Sequence, residues 1–164
     1  MGREIRRVPA NWEHPKQYGH YQPLYDKDFA CEAREWLDNC ISWDNGTHKD
    51  LQERPDLKKE YPFYWQWDGE PPNEEYFRPK FENAEWYQVY ETVSEGTPVS
   101  PPFATKAEII DYLSTYGDFW DQERGDGAWS RKAAEHFVEN EWAPSGVLTI
   151  SADNIEIKAP RDGA

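Results

Sequence analysis

Basic residues are scarce in this chain. Lys and Arg number 18 against 32 Asp and Glu, which leaves a net charge of -14. Binding to a nucleic-acid backbone needs clustered Lys and Arg, and the tightest group of three here is Arg3, Arg6 and Arg7. Direct nucleic-acid binding is therefore not expected, nor is attachment to an anionic membrane. Long apolar runs are missing as well: no stretch approaches the roughly 18 apolar residues that span a bilayer. Residues 1–24 hold no apolar core of the secretory-signal type, so the expected location is cytoplasmic.

Sulfur is equally scarce. Cys31 and Cys40 are the two cysteines. Nine residues apart on one helix, they point about 180° away from each other at about 100° per residue. An intrahelical disulfide is excluded by that geometry, and two reduced thiols are expected. The histidines His14, His20, His48 and His136 are scattered, whereas structural zinc shows close ligand pairs. No Gly-x-Ser-x-Gly elbow, Walker loop or dinucleotide fingerprint occurs. The sequence therefore supplies no catalytic, metal or cofactor assignment.

Aromatic residues are abundant instead: nine Trp, ten Tyr and seven Phe. Disordered chains are poor in such residues, so the expectation is one folded domain over residues 1–164 with an aromatic core. The 13 Pro and 10 Gly imply long connections. Residues 1–24 read as an irregular arm of local charge +2 that docks back on an acidic body, 25–145 as the core and 146–164 as a closing hairpin and tail. Phe29, Ala33, Trp36, Leu37 and Cys40 form a helical stripe within 26–41. The aromatic run 61–67 reads as a strand, and 86–93 as a second strand with aromatics on both faces. Thr105 and Glu108 have capping-box spacing at the start of a helix with Ile109, Tyr112, Leu113 and Tyr116 inward. Residues 118–127 read as an acidic surface loop. Ser130 caps a further helix with Ala133, Ala134, Phe137 and Val138 inward, and 147–157 forms a short hairpin. The fold class is α+β: a small, mainly antiparallel sheet covered by about three helices. Trp36, Trp65, Trp86, Ile109, Leu113 and Phe137 are expected in one core.

Two places stand out for function. Between Glu60 and Glu95 lie nine acids and two bases, interleaved with eleven aromatics. With the aromatics packed inward, Glu70, Glu74, Glu75, Glu82, Glu85 and Glu95 form an acidic outer face. Such a face attracts a basic partner protein, and it can imitate a nucleic-acid duplex, which carries about one charge per 1.7 Å of axis. The bland alternative is a solvated acidic face over an aromatic core. The other place is the loop at 95–100, where Gly96, Thr97 and Ser100 are candidate ligand-binding groups. Pro98, Pro101 and Pro102 remove N–H donors that a phosphate cradle would need, which favours a rigid connector.

Four segments together carry a resemblance: Val8-Pro9-Ala10-Asn11-Trp12-Glu13-His14-Pro15, Trp67-Asp68-Gly69-Glu70-Pro71-Pro72, the run from Tyr90 to Thr105 containing Glu95-Gly96-Thr97-Pro98-Val99-Ser100-Pro101-Pro102-Phe103, and Gly127 to Ser145. The chain resembles a family of small proteins encoded by bacteriophages and prophages, with the likeness spanning residues 3–145. No catalytic residue or cofactor comes with the resemblance. It implies a bacterial cytoplasm as the setting. By analogy of class, small acidic phage proteins block host nucleic-acid-binding machinery such as restriction and CRISPR effectors. The expected function is thus a non-enzymatic accessory protein that binds a host protein with a basic surface, partly by nucleic-acid mimicry. A phage structural or assembly factor is one alternative. A small enzyme or nucleotide-binding module using residues 95–100 is the other.

Thiol titration of natively purified, then denatured, protein should find two free thiols per chain, one for each cysteine. A lower count would contradict the helical spacing argument.

Overall fold

The computed structural model describes residues 2–93 and 96–144, together with the backbone of 147–151 and 154–158. In chain order the elements begin with strands β1 (Arg3–Val8), β2 (Lys16–Gln17) and β3 (His20–Tyr21). Helices α1 (Phe29–Asp44), α2 (Lys49–Glu53), α3 (Leu57–Glu60) and α4 (Tyr64–Asp68) follow, then a 3-10 turn at Glu74–Tyr76. Strands β4 (Trp86–Glu91) and β5 (Thr97–Pro98) precede helices α5 (Lys106–Tyr116), α6 (Phe119–Arg124) and α7 (Arg131–Asn140). Strands β6 (Trp142–Ala143), β7 (Val147–Ser151) and β8 (Asn154–Lys158) close the order. The fold class is α+β, as the sequence implied. The chain divides into two compact units, Leu24–Lys80 and the pair of segments Met1–Pro23 and Phe81–Ala164.

The unit of two segments is built on an antiparallel sheet of order β5-β4-β1-β6. Strand β4 lies between β5 and β1; Tyr87 packs on the cluster that holds Val89, and Tyr90 is buried beside Arg6 and His14. Helices α5 and α7 contribute Ile109, Leu113, Ala133, Ala134, Phe137 and Val138 to one buried cluster, with Val89 of β4. Thr105 and Glu108 form the expected capping box, and the Ser130 hydroxyl accepts from the Ala133 N–H. Tyr116, expected inward, is 59% exposed. The hairpin forms from β7 and β8, with Thr149 opposite Glu156.

Residues 3–8, read as part of an irregular arm, form a strand inside the sheet. Its whole length pairs with β4, Arg3 opposite Glu91 and Val8 opposite Trp86. The alternation of charged and apolar residues was masked by three arginines. Arg3 is 4% exposed and Arg6 is 7% exposed. Arg3 Nε donates to Asp118 Oδ2 at 2.6 Å, and its Nη1 lies 3.7 Å from Glu91 Oε1. Arg6 stacks on the Tyr90 ring at 4.7 Å and donates to Glu4. Charge compensation is what allows these arginines inside.

Residues 118–127 were read as a surface loop; 119–124 are α6 instead, and Asp118 and Asp121 are buried. Each carboxylate accepts the other residue's backbone N–H, at 2.9 and 3.1 Å, and Asp121 also accepts from Trp129 Nε1 at 2.7 Å. Gly117 makes the junction possible. Its φ is +74°, and a Cβ there would meet Asp121 Cβ at 2.7 Å and the Gly127 carbonyl at 2.8 Å.

The Leu24–Lys80 unit has its own core of Trp43, Leu51, Leu57 and Tyr64, with Trp36, Cys40, Tyr61 and Trp67 packed against it. One shared core was expected for Trp36, Trp65, Trp86, Ile109, Leu113 and Phe137. Instead Trp36 packs on this cluster, Ile109, Leu113 and Phe137 belong to the other, Trp86 is half-buried and in neither, and Trp65 is 48% exposed. The run 61–67 is not a strand. Residues 64–68 form a helical turn that buries Tyr64 and half-buries Trp67, one turn apart. The Phe63 N–H donates to Gln66 Oε1, and Gly69 ends the turn at φ +109°. Aromatic density gave a strand propensity, but packing of every third residue decided the conformation. Cys31 and Cys40 are both free thiols. Leu37, placed on the buried stripe, is 55% exposed, because the inward stripe of α1 runs through Trp36, Cys40 and Trp43.

Two stability predictions follow from the buried polar groups. Arg3→Ala strands Asp118 beside Glu91 without this guanidinium, and should cost about 3–5 kcal/mol in chemical denaturation. Adding Asp118→Ala should cost less than the sum of the single changes. His14 is buried; its Nε2 donates to the Gln22 carbonyl at 2.6 Å, and Nδ1 faces the Tyr90 hydroxyl at 3.3 Å. Burial pushes its pKa below the ordinary imidazole value, against the Gln22 bond and with the nearby Arg6 charge. A depressed folded pKa means the unfolded chain binds the proton more readily, so this stability is present above the ordinary value and is lost as pH falls. The denaturation midpoint should drop between about pH 8 and about pH 5, and His14→Gln should shrink that drop.

Candidate functional site

The Leu24–Lys80 unit contains a cleft of about 570 Å³, within the size range of ligand sites, about 300–1,000 Å³. Helix α1 supplies its floor. Glu32, Glu35, Trp36 and Asn39 line it at i, i+3, i+4 and i+7, the spacing of one helical face. The Asp28 carboxylate starts this helix by accepting from the Cys31 N–H. Asp28 also pairs with Lys80, which pulls the Asp28 pKa down and pushes the Lys80 pKa up.

One wall is made by two extended segments. The Tyr25 N–H donates to the Tyr76 carbonyl at 2.8 Å, and the Arg78 N–H to the Tyr25 carbonyl at 2.8 Å. Arg78 clamps the same pair from its side chain, 2.8 Å from Asp26. These bonds hold Tyr25, Tyr76 and Phe77 at the cleft, with the Tyr25 and Phe77 rings 5.3 Å apart. Helix α4 and the residues after it add Tyr64, Asp68 and Glu70 to the lining. The Tyr64 hydroxyl donates to Asp68 Oδ2 at 2.7 Å. Burial, reinforced by that carboxylate, pushes the Tyr64 pKa far up, so the phenol stays protonated. The Trp36 ring lies edge-on to Tyr64 at 6.2 Å, and its indole N–H is buried without a hydrogen-bond partner among the described residues. Leaving that donor unmatched costs stability.

Four carboxylates and two ammonium groups, Lys27 and Lys49, line this cleft. Lys27 is 3.1 Å from Glu32. Neither Glu35 nor Glu70 has an ion-pair partner among the described residues. The cleft therefore carries surplus negative charge beside aromatic surface. Its carboxylates are dispersed: among the described residues no three His, Cys, Asp or Glu side chains converge to hold a metal ion. No helix among the described residues is long and apolar enough to cross a membrane.

The predicted acidic face divides between the two units. Glu70, Glu74 and Glu75 belong to the Leu24–Lys80 unit, and Glu82 and Glu85 to the other; all five are exposed. Glu70 lines the cleft, while Glu74 and Glu75 sit on the 3-10 turn between its lining residues Asn73 and Tyr76. Glu95 lies outside the described residues. In the 95–100 loop, the Gly96 N–H donates to the Glu91 carbonyl at 3.2 Å, and Thr97 pairs opposite Glu91 as part of β5. Ser100 is fully buried; its hydroxyl accepts from the Val89 N–H and donates to the Pro101 carbonyl. These groups serve strand pairing, and the described part of the loop has the character of a connector.

Sequence reading missed Glu32, Glu35, Asp68, Trp36 and Tyr64 as site residues. The signal for the first two was an acidic edge on α1 beside its apolar stripe. Asp68 and Tyr64 were hidden by reading 61–67 as a strand, since the Tyr64–Asp68 bond requires the i, i+4 geometry of a helix. No protein-family model matches the chain, and no curated protein or solved structure matches it.

Proposed function

We propose that this protein is a non-enzymatic accessory protein that binds a partner protein through a basic surface of that partner. The observation that carries this reading is the aromatic and acidic cleft, with Glu35 and Glu70 lacking ion-pair partners among the described residues. Glu74 and Glu75 extend the negative surface beside it. The Leu24–Lys80 unit holds fourteen acids against eight bases, so a cationic partner is attracted from a distance and a nucleic-acid backbone is repelled. The resemblance to phage-encoded proteins supports a host protein as partner, and the acidity supports one whose own ligand is nucleic acid. Inhibition of a defence effector is the activity that these two supports together suggest.

Affinity capture from bacterial lysate tests this with a charge variant as the comparison. The parent should enrich a host protein that the Glu35→Gln, Glu70→Gln, Glu74→Gln, Glu75→Gln variant loses. Capture should weaken with added salt, because screening shortens the reach of the charges, and should fall when nucleic acid is added as competitor. Equal capture by parent and variant at low salt would refute the reading. The variant should keep its fold, since exposed substitutions usually change stability by less than about 0.5 kcal/mol.

A further inference from the structure

We infer that the cleft of the Leu24–Lys80 unit is an arginine-selective pocket, which receives an arginine side chain presented on a polypeptide. This rests on the basic-partner reading and names the group recognised. Three properties of the cleft point to guanidinium over other ligands.

The first is charge. The surplus of carboxylates disfavours phosphate or carboxylate ligands and favours a cation. The second is dispersion. A metal ion needs several ligands converging on one point, and among the described residues no such cluster exists. Carboxylates spread around a cleft instead suit a cation whose charge and donors are spread over a plane. The third is aromatic surface. Tyr76 is 46% exposed and Tyr25 is 37% exposed, and the half-buried Trp36 lines the same space. Guanidinium is weakly hydrated and planar; it stacks on aromatic faces while its N–H fork engages carboxylates. A lysine ammonium is compact and strongly hydrated, and gives up more hydration on entering an aromatic cleft.

The chain already uses this chemistry elsewhere. Arg6 lies over Tyr90 at 4.7 Å while donating to Glu4, and Arg7 lies over Tyr87 at 4.5 Å. In the cleft the aromatic and carboxylate halves of such an arrangement are present on one chain. Glu35 lies on α1 and Glu70 just after α4, so the two lining carboxylates come from different elements. Tyr25 and Tyr76 supply exposed aromatic surface in the same lining.

The test uses the full chain and two end-capped, glycine-flanked peptides, one carrying a single arginine and the other a single lysine. Chemical-shift titration should show the arginine peptide perturbing the Trp36 indole resonance, assigned by its loss in Trp36→Phe. Its affinity should exceed that of the lysine peptide by about fivefold or more, because the ammonium gives up more hydration and cannot stack on the rings as a plane. Tyr76→Ala should reduce that preference, and Glu35→Gln with Glu70→Gln should weaken both peptides. These side chains are exposed, so the fold survives their replacement, and circular dichroism checks it. Equal affinity for the two peptides would overturn arginine selectivity and leave the basic-partner reading standing. No shift at Trp36, with a host protein still captured in a charge-dependent way, would overturn the cleft as the binding site. No shift together with charge-independent capture would overturn both readings.

Discussion

The buried guanidinium of Arg3 constrains how the two-segment unit can fold. It sits in a sheet strand, donates to Asp118 at 2.6 Å and faces Glu91. Glu91 in turn accepts from Trp120 Nε1 at 3.2 Å, and Asp118 caps the helix that carries Trp120. One cation therefore joins the first strand, the fourth strand and the start of α6. Taking these charges out of water is expensive, and only the full set of partners compensates. Such a network favours this register and helix start, because a slipped pairing would leave a buried charge without its counterpart. Gly117 is part of the same constraint, since its left-handed backbone brings Asp118 and Asp121 into the turn without a clash.

A different balance organises the Leu24–Lys80 unit. Helix α1 presents Trp36, Cys40 and Trp43 to an aromatic core, Glu32, Glu35 and Asn39 to the cleft, and Leu37 and Ile41 to solvent. The core holds α1 against α4, with the Trp43 Nε1 donating to the Tyr61 carbonyl at 3.0 Å. Lys58 reaches back to the Trp43 and Asp44 carbonyls at the end of α1, where a cation is favoured by the helix dipole. The cleft and the core thus draw on neighbouring faces of one helix. Trp36 belongs to both, so a residue that lines the cleft is also packed against the core.

Local chemistry made part of this legible in the sequence. The Thr105–Glu108 box and the Ser130 cap are interactions within a few residues, so their spacing alone locates α5 and α7. The period-2 pattern read over 86–93 located β4, although the strand ends at Glu91 and Val93 is exposed. The acidic character of the Glu60–Glu95 stretch was visible, and Glu70 was correctly singled out as exposed. By contrast, Arg3 and Arg6 read as part of an irregular basic arm docking on an acidic body, and not as a buried strand, because their partners, Asp118, Glu91 and the Tyr90 ring, are distant in sequence. Asp118 and Asp121 read as loop acids for the same reason.

The sequence by itself determined the net charge, the α+β class, the helix caps and the presence of free thiols, because each depends on composition or on contacts between near neighbours. Only the tertiary structure decided that 3–8 is a strand and 64–68 a helical turn. It also decided that the aromatics form two cores and that Glu32 and Glu35 share a cleft with Asp68 and Glu70. Those outcomes depend on which distant groups meet. A buried arginine is stable only beside its carboxylates, and an aromatic run takes the conformation that buries the side chains its neighbours can cover.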